Sequence, residues 1–219
     1  MDPVDIALCL SMDVSASVDF DEFALMAGGT AAALRDPSVL AAATSGPRRA
    51  AALSLVLWSG TGAQDVALPW TRLDGPDSVA AIADAIENTP RLPRPGATAL
   101  GEGMAAGLAL LGAFPGDAAR YVMDVSGDGR HNQGRAPGPV RDLAVQAGIT
   151  INALAIKRPG GSYRSPDGRP LEDYYADYVI GGAGAFVEIA NADRPFADAA
   201  RRKLVLELAG IPRTRLVSR

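Results

Sequence analysis

Asp13, Ser15 and Ser17 stand at alternate positions directly after the apolar run Ile6–Met12. One carboxylate and two hydroxyls leaving a strand end together are oxygen ligands suited to a hard divalent cation. Asp-x-Ser-x-Ser by itself is a common loop and cap sequence. Two further oxygen-bearing segments, Gly96-Ala97-Thr98 and Ser126-Gly127-Asp128-Gly129, strengthen it. Asp128 follows one strand-like run and Thr98 precedes one helix-like run. In open parallel α/β sheets, ligands bind outside the carboxyl ends of the strands. Asp13, Ser15, Ser17, Thr98 and Asp128 are therefore expected to meet on one rim. Hydroxyl ligands leave the charge of Mg²⁺ under-compensated, so the ion would accept a carboxylate from another molecule. Mn²⁺ or Ca²⁺ would suit the same oxygens. That chemistry suits binding more than hydrolysis.

The elements that must position these residues alternate along the chain. Strand-like segments are 5–13, 50–58, 65–70, 120–126, 149–156 and 185–190. Helix-like segments are roughly 19–36, 76–88, 99–113, 138–147 and 193–209. Asp19 with Glu22 three residues on forms a capping-box pattern. Leu100, Met104, Leu108 and Leu111 share one helical stripe, as do Phe196, Ala200, Leu204 and Leu208. Strand–helix alternation predicts a mostly parallel sheet covered on both faces. Segment 65–70 follows its predecessor through Ser59-Gly60-Thr61-Gly62, so it is expected to be antiparallel and at an edge, where Pro69 is tolerated. The expected fold is a Rossmann-like three-layer α/β sandwich with six strands. Residues 1–219 read as one domain, and the Pro- and Gly-rich stretch 157–170 as a surface loop.

Composition narrows the function classes. A net charge of −4 argues against nucleic acid as a partner, since phosphate contacts need clustered Lys and Arg. The one basic run, Arg201-Arg202-Lys203, is expected on a solvated helix face. With a single cysteine, Cys9, there is neither an intrachain disulfide nor a thiolate zinc site. No apolar stretch reaches the ~20 residues of a membrane span. The start Met1-Asp2-Pro3 has no leader pattern. The chain as it stands reads as cytoplasmic, and a trimmed leader would make it periplasmic or secreted.

The pattern Asp13-x-Ser15-x-Ser17, then Thr98, then Asp128 resembles the metal-ion-dependent adhesion site of von Willebrand factor type A domains. The order of elements is similar over nearly the whole chain. Val125-Ser126-Gly127-Asp128-Gly129, Val179-Ile180-Gly181-Gly182 and Arg201-Arg202-Lys203-Leu204 resemble, more narrowly, the bacterial group DUF1194. The broad resemblance implies Mg²⁺-dependent binding of a protein that presents Asp or Glu. It departs at Gly127, where that family usually has Thr or Ser.

Other readings stand beside this one. Ser17 or Asp19 caps the first helix, Thr98 caps the helix 99–113, and Asp128 is a turn residue. Asp124 is an alternative carboxylate within its strand. His131, the one histidine, would be the base of a metal-dependent hydrolase. No Gly-x-Ser-x-Gly elbow accompanies it and no P-loop lysine follows Gly101-x-Gly103. A metal-free scaffold subunit is the third reading. Trp58 and Trp70 are expected to pack in the core or at an edge. Tyr174, Tyr175 and Tyr178 suit a binding surface or partial burial equally.

Overall fold

The computed structural model describes residues 1–157 and 168–210. Most of the surface loop expected at 157–170 lies outside them. Among the described residues, six strands form one sheet in the order β3-β2-β1-β4-β5-β6. They are β1 (Val4–Asp13), β2 (Ala51–Trp58), β3 (Gln64–Leu73), β4 (Ala118–Gly127), β5 (Ile149–Ile156) and β6 (Val187–Ala190). All neighbours pair in parallel except β3, which runs antiparallel to β2 at the edge. The expected sheet is therefore the observed one. β3 runs three residues further than expected, and β6 starts two residues later.

Among the described residues, seven helices cover the two faces: α1 (Phe20–Arg35), α2 (Pro37–Ala43), α3 (Pro76–Glu87), α4 (Leu100–Gly112), α5 (Pro137–Gln146), α6 (Leu171–Tyr178) and α7 (Phe196–Ala209). Strand alternation sorts the core between them. Ile6, Leu8, Leu10 and Met12 of β1 pack with Phe23, Met26, Ile82, Leu204 and Leu208 from α1, α3 and α7. Ala7 and Cys9 face the other way, toward Leu100, Met104 and Leu111 of α4 and Tyr175 of α6. Each buried Leu or Ile contributes roughly 1.5–3 kcal/mol relative to exposure. Trp58 is fully buried and Trp70 partly so.

The capping box is present as expected. Glu22 N donates to Asp19 Oδ1 at 2.9 Å, and Asp19 N donates to Glu22 Oε2 at 3.0 Å. The first helical run stops at Arg35 because Asp36 caps a new helix, α2, whose first residue is Pro37.

The expectation for the basic run fails at Lys203. Lys203 is not on a solvated face: it is completely buried, between Asp124 and Glu207. Arg201 and Arg202 do stay at the surface. Lys203 lies on the side of α7 that meets β4, and its charge is accommodated by those two carboxylates. Asn152 Nδ2 adds a 2.9 Å hydrogen bond to Glu207 Oε1. Burial and the Asp124 charge push the Glu207 carboxyl up to about 7.

Candidate metal site

β1 and β4 are neighbours in the middle of the sheet, yet the chain leaves them for opposite edges. Their carboxyl ends are the switch point of the fold, where a crevice opens above the strands. Asp13 is the last residue of β1, and Asp128 directly follows β4.

The loop after β1 folds over its own carboxylate. Ser15 N donates to Asp13 Oδ1 at 2.7 Å. Ser15 Oγ lies 3.2 Å from Ser17 Oγ and 3.4 Å from Thr98 Oγ1. Ser17 Oγ donates to Asp128 Oδ1 at 2.9 Å. The five residues expected to meet are thus linked in one cluster, four through their side chains and Asp13 through the Ser15 backbone N–H. Asp13, Ser15, Thr98 and Asp128 are buried, whereas Ser17 is exposed and forms the outer side. Asp19, not Ser17, caps α1. Thr98 is not a cap either: Ala99 holds the N-cap position of α4 without a side-chain bond. Asp124 points away from the cluster, to Lys203 on α7.

Four residues outside the expected set hold the cluster in place. Arg91 Nη2 donates to the carbonyls of Val14, at 3.0 Å, Ser15, at 3.1 Å, and Val18. Its guanidinium also lies over the Phe20 ring, 5.5 Å from the centroid. Gly96 O accepts from Ala16 N at 2.8 Å, joining the two loops. Asn132 brackets Thr98: its Oδ1 accepts from Thr98 N at 2.8 Å, and its N–H donates to Thr98 O at 3.0 Å. Tyr175 Oη, from α6, donates to Gly129 O at 3.1 Å. A lone Arg in a Pro-rich stretch and an Asn in a loop carry no local signal of such roles. Tyr175 was expected at a surface or half-buried, and is fully buried.

His131 sits half-buried in the same loop as Asn132. Burial pushes its pKa down, opposed by the Gly134 backbone and the Glu102 charge. Glu102 itself is held low, chiefly by the Arg135 backbone N–H and then by its guanidinium. The loop's charged contacts therefore run toward α4.

As a donor set, two carboxylates and three hydroxyls are all hard oxygen, which fits Mg²⁺, Mn²⁺ or Ca²⁺ and gives no soft ligand. Among the described residues, no group of three or more His, Cys, Asp or Glu side chains is placed to hold a metal ion. A cation here would rest largely on hydroxyl oxygen.

A family model described as "Protein of unknown function (DUF1194)" matches residues 3–212. The chain belongs to that family. No curated protein matches it in sequence. This DUF1194 member is similar in structure to a von Willebrand factor type A protein from Catenulispora acidiphila, with 18% identity and a TM-score of 0.60 over 94% of this chain and 43% of that one. It is similar to proximal thread matrix protein 1 from the mussel byssus, whose adhesion-site motif is described as zinc-occupied, with 18% identity and a TM-score of 0.62 over 92% of this chain and 46% of that one. The pilus adhesin SpaC of Lactobacillus rhamnosus GG, in an open conformation, shows 16% identity and a TM-score of 0.63 over 96% of this chain and 30% of that one. The DUF1194 chain spans less than half the length of each of these structures. At such identities the likeness establishes the fold: a von Willebrand A-type, Rossmann-like α/β sandwich. Among the described residues, no helix is long and apolar enough to cross a membrane.

Proposed function

We propose that this protein is a binding module for adhesion or assembly, working through a divalent cation, Mg²⁺ by preference. Asp13, Ser15, Ser17, Thr98 and Asp128 would hold the ion. The observation that carries the reading is the contact chain from Asp13 through Ser15 to Thr98, Ser17 and Asp128. It joins three separate loops at the switch point of the sheet. When bound, a hard cation supplies an electrophilic position for an incoming carboxylate. The chain's own residues do the rest. Asp13 and Asp128 supply negative charge, the three hydroxyls supply neutral oxygen, and Arg91 and Asn132 fix the loops. Ser17, on the exposed side, marks the direction of approach. The partner is a protein presenting Asp or Glu at its surface.

Calorimetric titration with Mg²⁺ and Mn²⁺ tests the ion. Wild type binds and Asp13→Ala does not, in a variant that keeps its fold by circular dichroism. At one hundred times Kd the ion adds about 2.7 kcal/mol to stability, which raises Tm by about 5–11 °C in a chain of this size. Equal null titrations of both proteins at millimolar metal refute the cation. Pull-down of partners in Mg²⁺, competed by EDTA, then tests the binding role. Capture unaffected by EDTA refutes a cation-borne contact.

A further inference from the structure

Asp128 stands between Gly127 and Gly129, so its turn is soft by composition. Neither glycine has a positive φ, so backbone geometry does not demand them. At Gly127 the demand is spatial. A Cβ there would lie 2.6 Å from Tyr175 Oη, 3.2 Å from Asp13 Cβ and 3.3 Å from Asp13 Oδ2. These are the nearest atoms, so no ring carbon of Tyr175 is closer than 3.3 Å to that point. The collision with Tyr175 is with its hydroxyl, which occupies the place of a residue-127 side chain. The same hydroxyl donates to the Gly129 carbonyl at 3.1 Å. It thus meets the turn on both sides of Asp128, beside the Gly127 Cβ position that Asp13 also borders. Tyr175 is itself fully buried on α6, which leaves the hydroxyl little freedom to move aside.

We propose that Tyr175 is the positioning residue of the cation site: its hydroxyl replaces a side chain at residue 127 and fixes the Gly127–Gly129 turn so that Asp128 faces Ser17. The inference rests on the cation reading above. It makes a hydroxyl at residue 175 and a side chain at residue 127 mutually exclusive. A hydroxyl brought from α6, 46 residues along the chain, does the work of a local one.

The test is Mn²⁺ calorimetry on wild type, Tyr175→Phe, Gly127→Ser and the double variant, with melting in EDTA as the check on folding. Losing one hydrogen bond is worth about 0.5–1.5 kcal/mol, so Tyr175→Phe weakens Mn²⁺ binding by about 2–10-fold. Gly127→Ser weakens it through the clash. The double variant binds more tightly than Gly127→Ser alone, because removing the hydroxyl clears the space and serine returns one. A purely structural role for Tyr175 would show as a lower Tm in EDTA with Mn²⁺ affinity unchanged. Wild-type binding with unaltered affinity in Tyr175→Phe overturns the inference while leaving the cation reading intact. Additive losses in the double variant overturn it too. If Gly127→Ser does not fold, recovery of the fold by Tyr175→Phe supports the steric exclusion, and failure to recover overturns it. Wild type silent to millimolar Mn²⁺ refutes the cation reading and this inference with it.

Discussion

Replacing Lys203 by Met is the sharpest test of how α7 is held on the sheet. Lys203 Nζ reaches Asp124 on β4 and, at 2.7 Å, Glu207 one turn along its own helix. All three side chains are almost fully withdrawn from water, with 0% exposure at Lys203, 6% at Asp124 and 3% at Glu207. Met keeps the shape and volume of the lysine stem, so little cavity forms. What is lost is a cation held between two buried carboxylates. Removing one partner of a buried ion pair typically costs about 3–5 kcal/mol. For a chain of this length that is a Tm lowered by about 6–20 °C. The loss also depends on pH. The Glu207 carboxyl, pushed up to about 7 from its ordinary 4.5, contributes stability that is present below about 4.5 and lost as pH rises to about 7. Without the lysine it rises further. The gap between Lys203→Met and wild type therefore narrows as the pH is lowered from 8 to 5. It narrows by up to about 1.4 kcal/mol for each pH unit over which the folded variant holds one proton more than folded wild type. Urea and thermal unfolding of both proteins at pH 8 and pH 5 measure this. A variant within about 1 kcal/mol of wild type at pH 8, or a gap independent of pH, refutes the argument from burial.

Three other outcomes follow from the packing. Gly103→Ala drives a methyl to within 2.4 Å of Trp58; overpacking of this kind costs about 1–3 kcal/mol, and an unchanged Tm with unshifted tryptophan emission would contradict it. The Cys9 thiol is pushed up to about 12, first by burial and then by the Asp124 charge. A thiol reagent at pH 8 therefore leaves the native protein unlabelled and reacts once urea unfolds it, and rapid stoichiometric labelling of the native state would refute this. Arg91→Met removes the nitrogen that serves all three carbonyls. It should weaken Mn²⁺ binding by about tenfold or more and speed amide exchange across residues 14–18, with no change in either as the contrary result.

The sheet was legible because its strands are short apolar runs separated by amphipathic helices, a local pattern. The edge position of β3 was legible from the Gly-containing turn and Pro69. Helix α2 was hidden because the first helical run was read as ending at residue 36, and the 7 residues from Pro37 to Ala43 are too few to show a helical period. The meeting of Asp13, Ser15, Ser17, Thr98 and Asp128 on one rim was legible because type, order and element context agreed. What holds them was not. Arg91 lies 73–77 residues from the carbonyls it serves, and Asn132 lies 34 from Thr98. Lys203 looked solvated because its run is basic. Its burial depends on Asp124, a strand residue that gives no sign in sequence of facing a helix.

The Arg91 clamp bears on the thermodynamics of recognition. With the carbonyls of residues 14, 15 and 18 tied back to one guanidinium, the loop loses its conformational freedom when the protein folds. That entropy is then not lost again when something binds. Association at this rim would begin from a rigid receptor. Affinity differences between ligands would then lie in their dissociation rates and in the order each must itself acquire. A flexible acidic segment and the same segment constrained in a hairpin would be told apart here by the ligand's entropy alone.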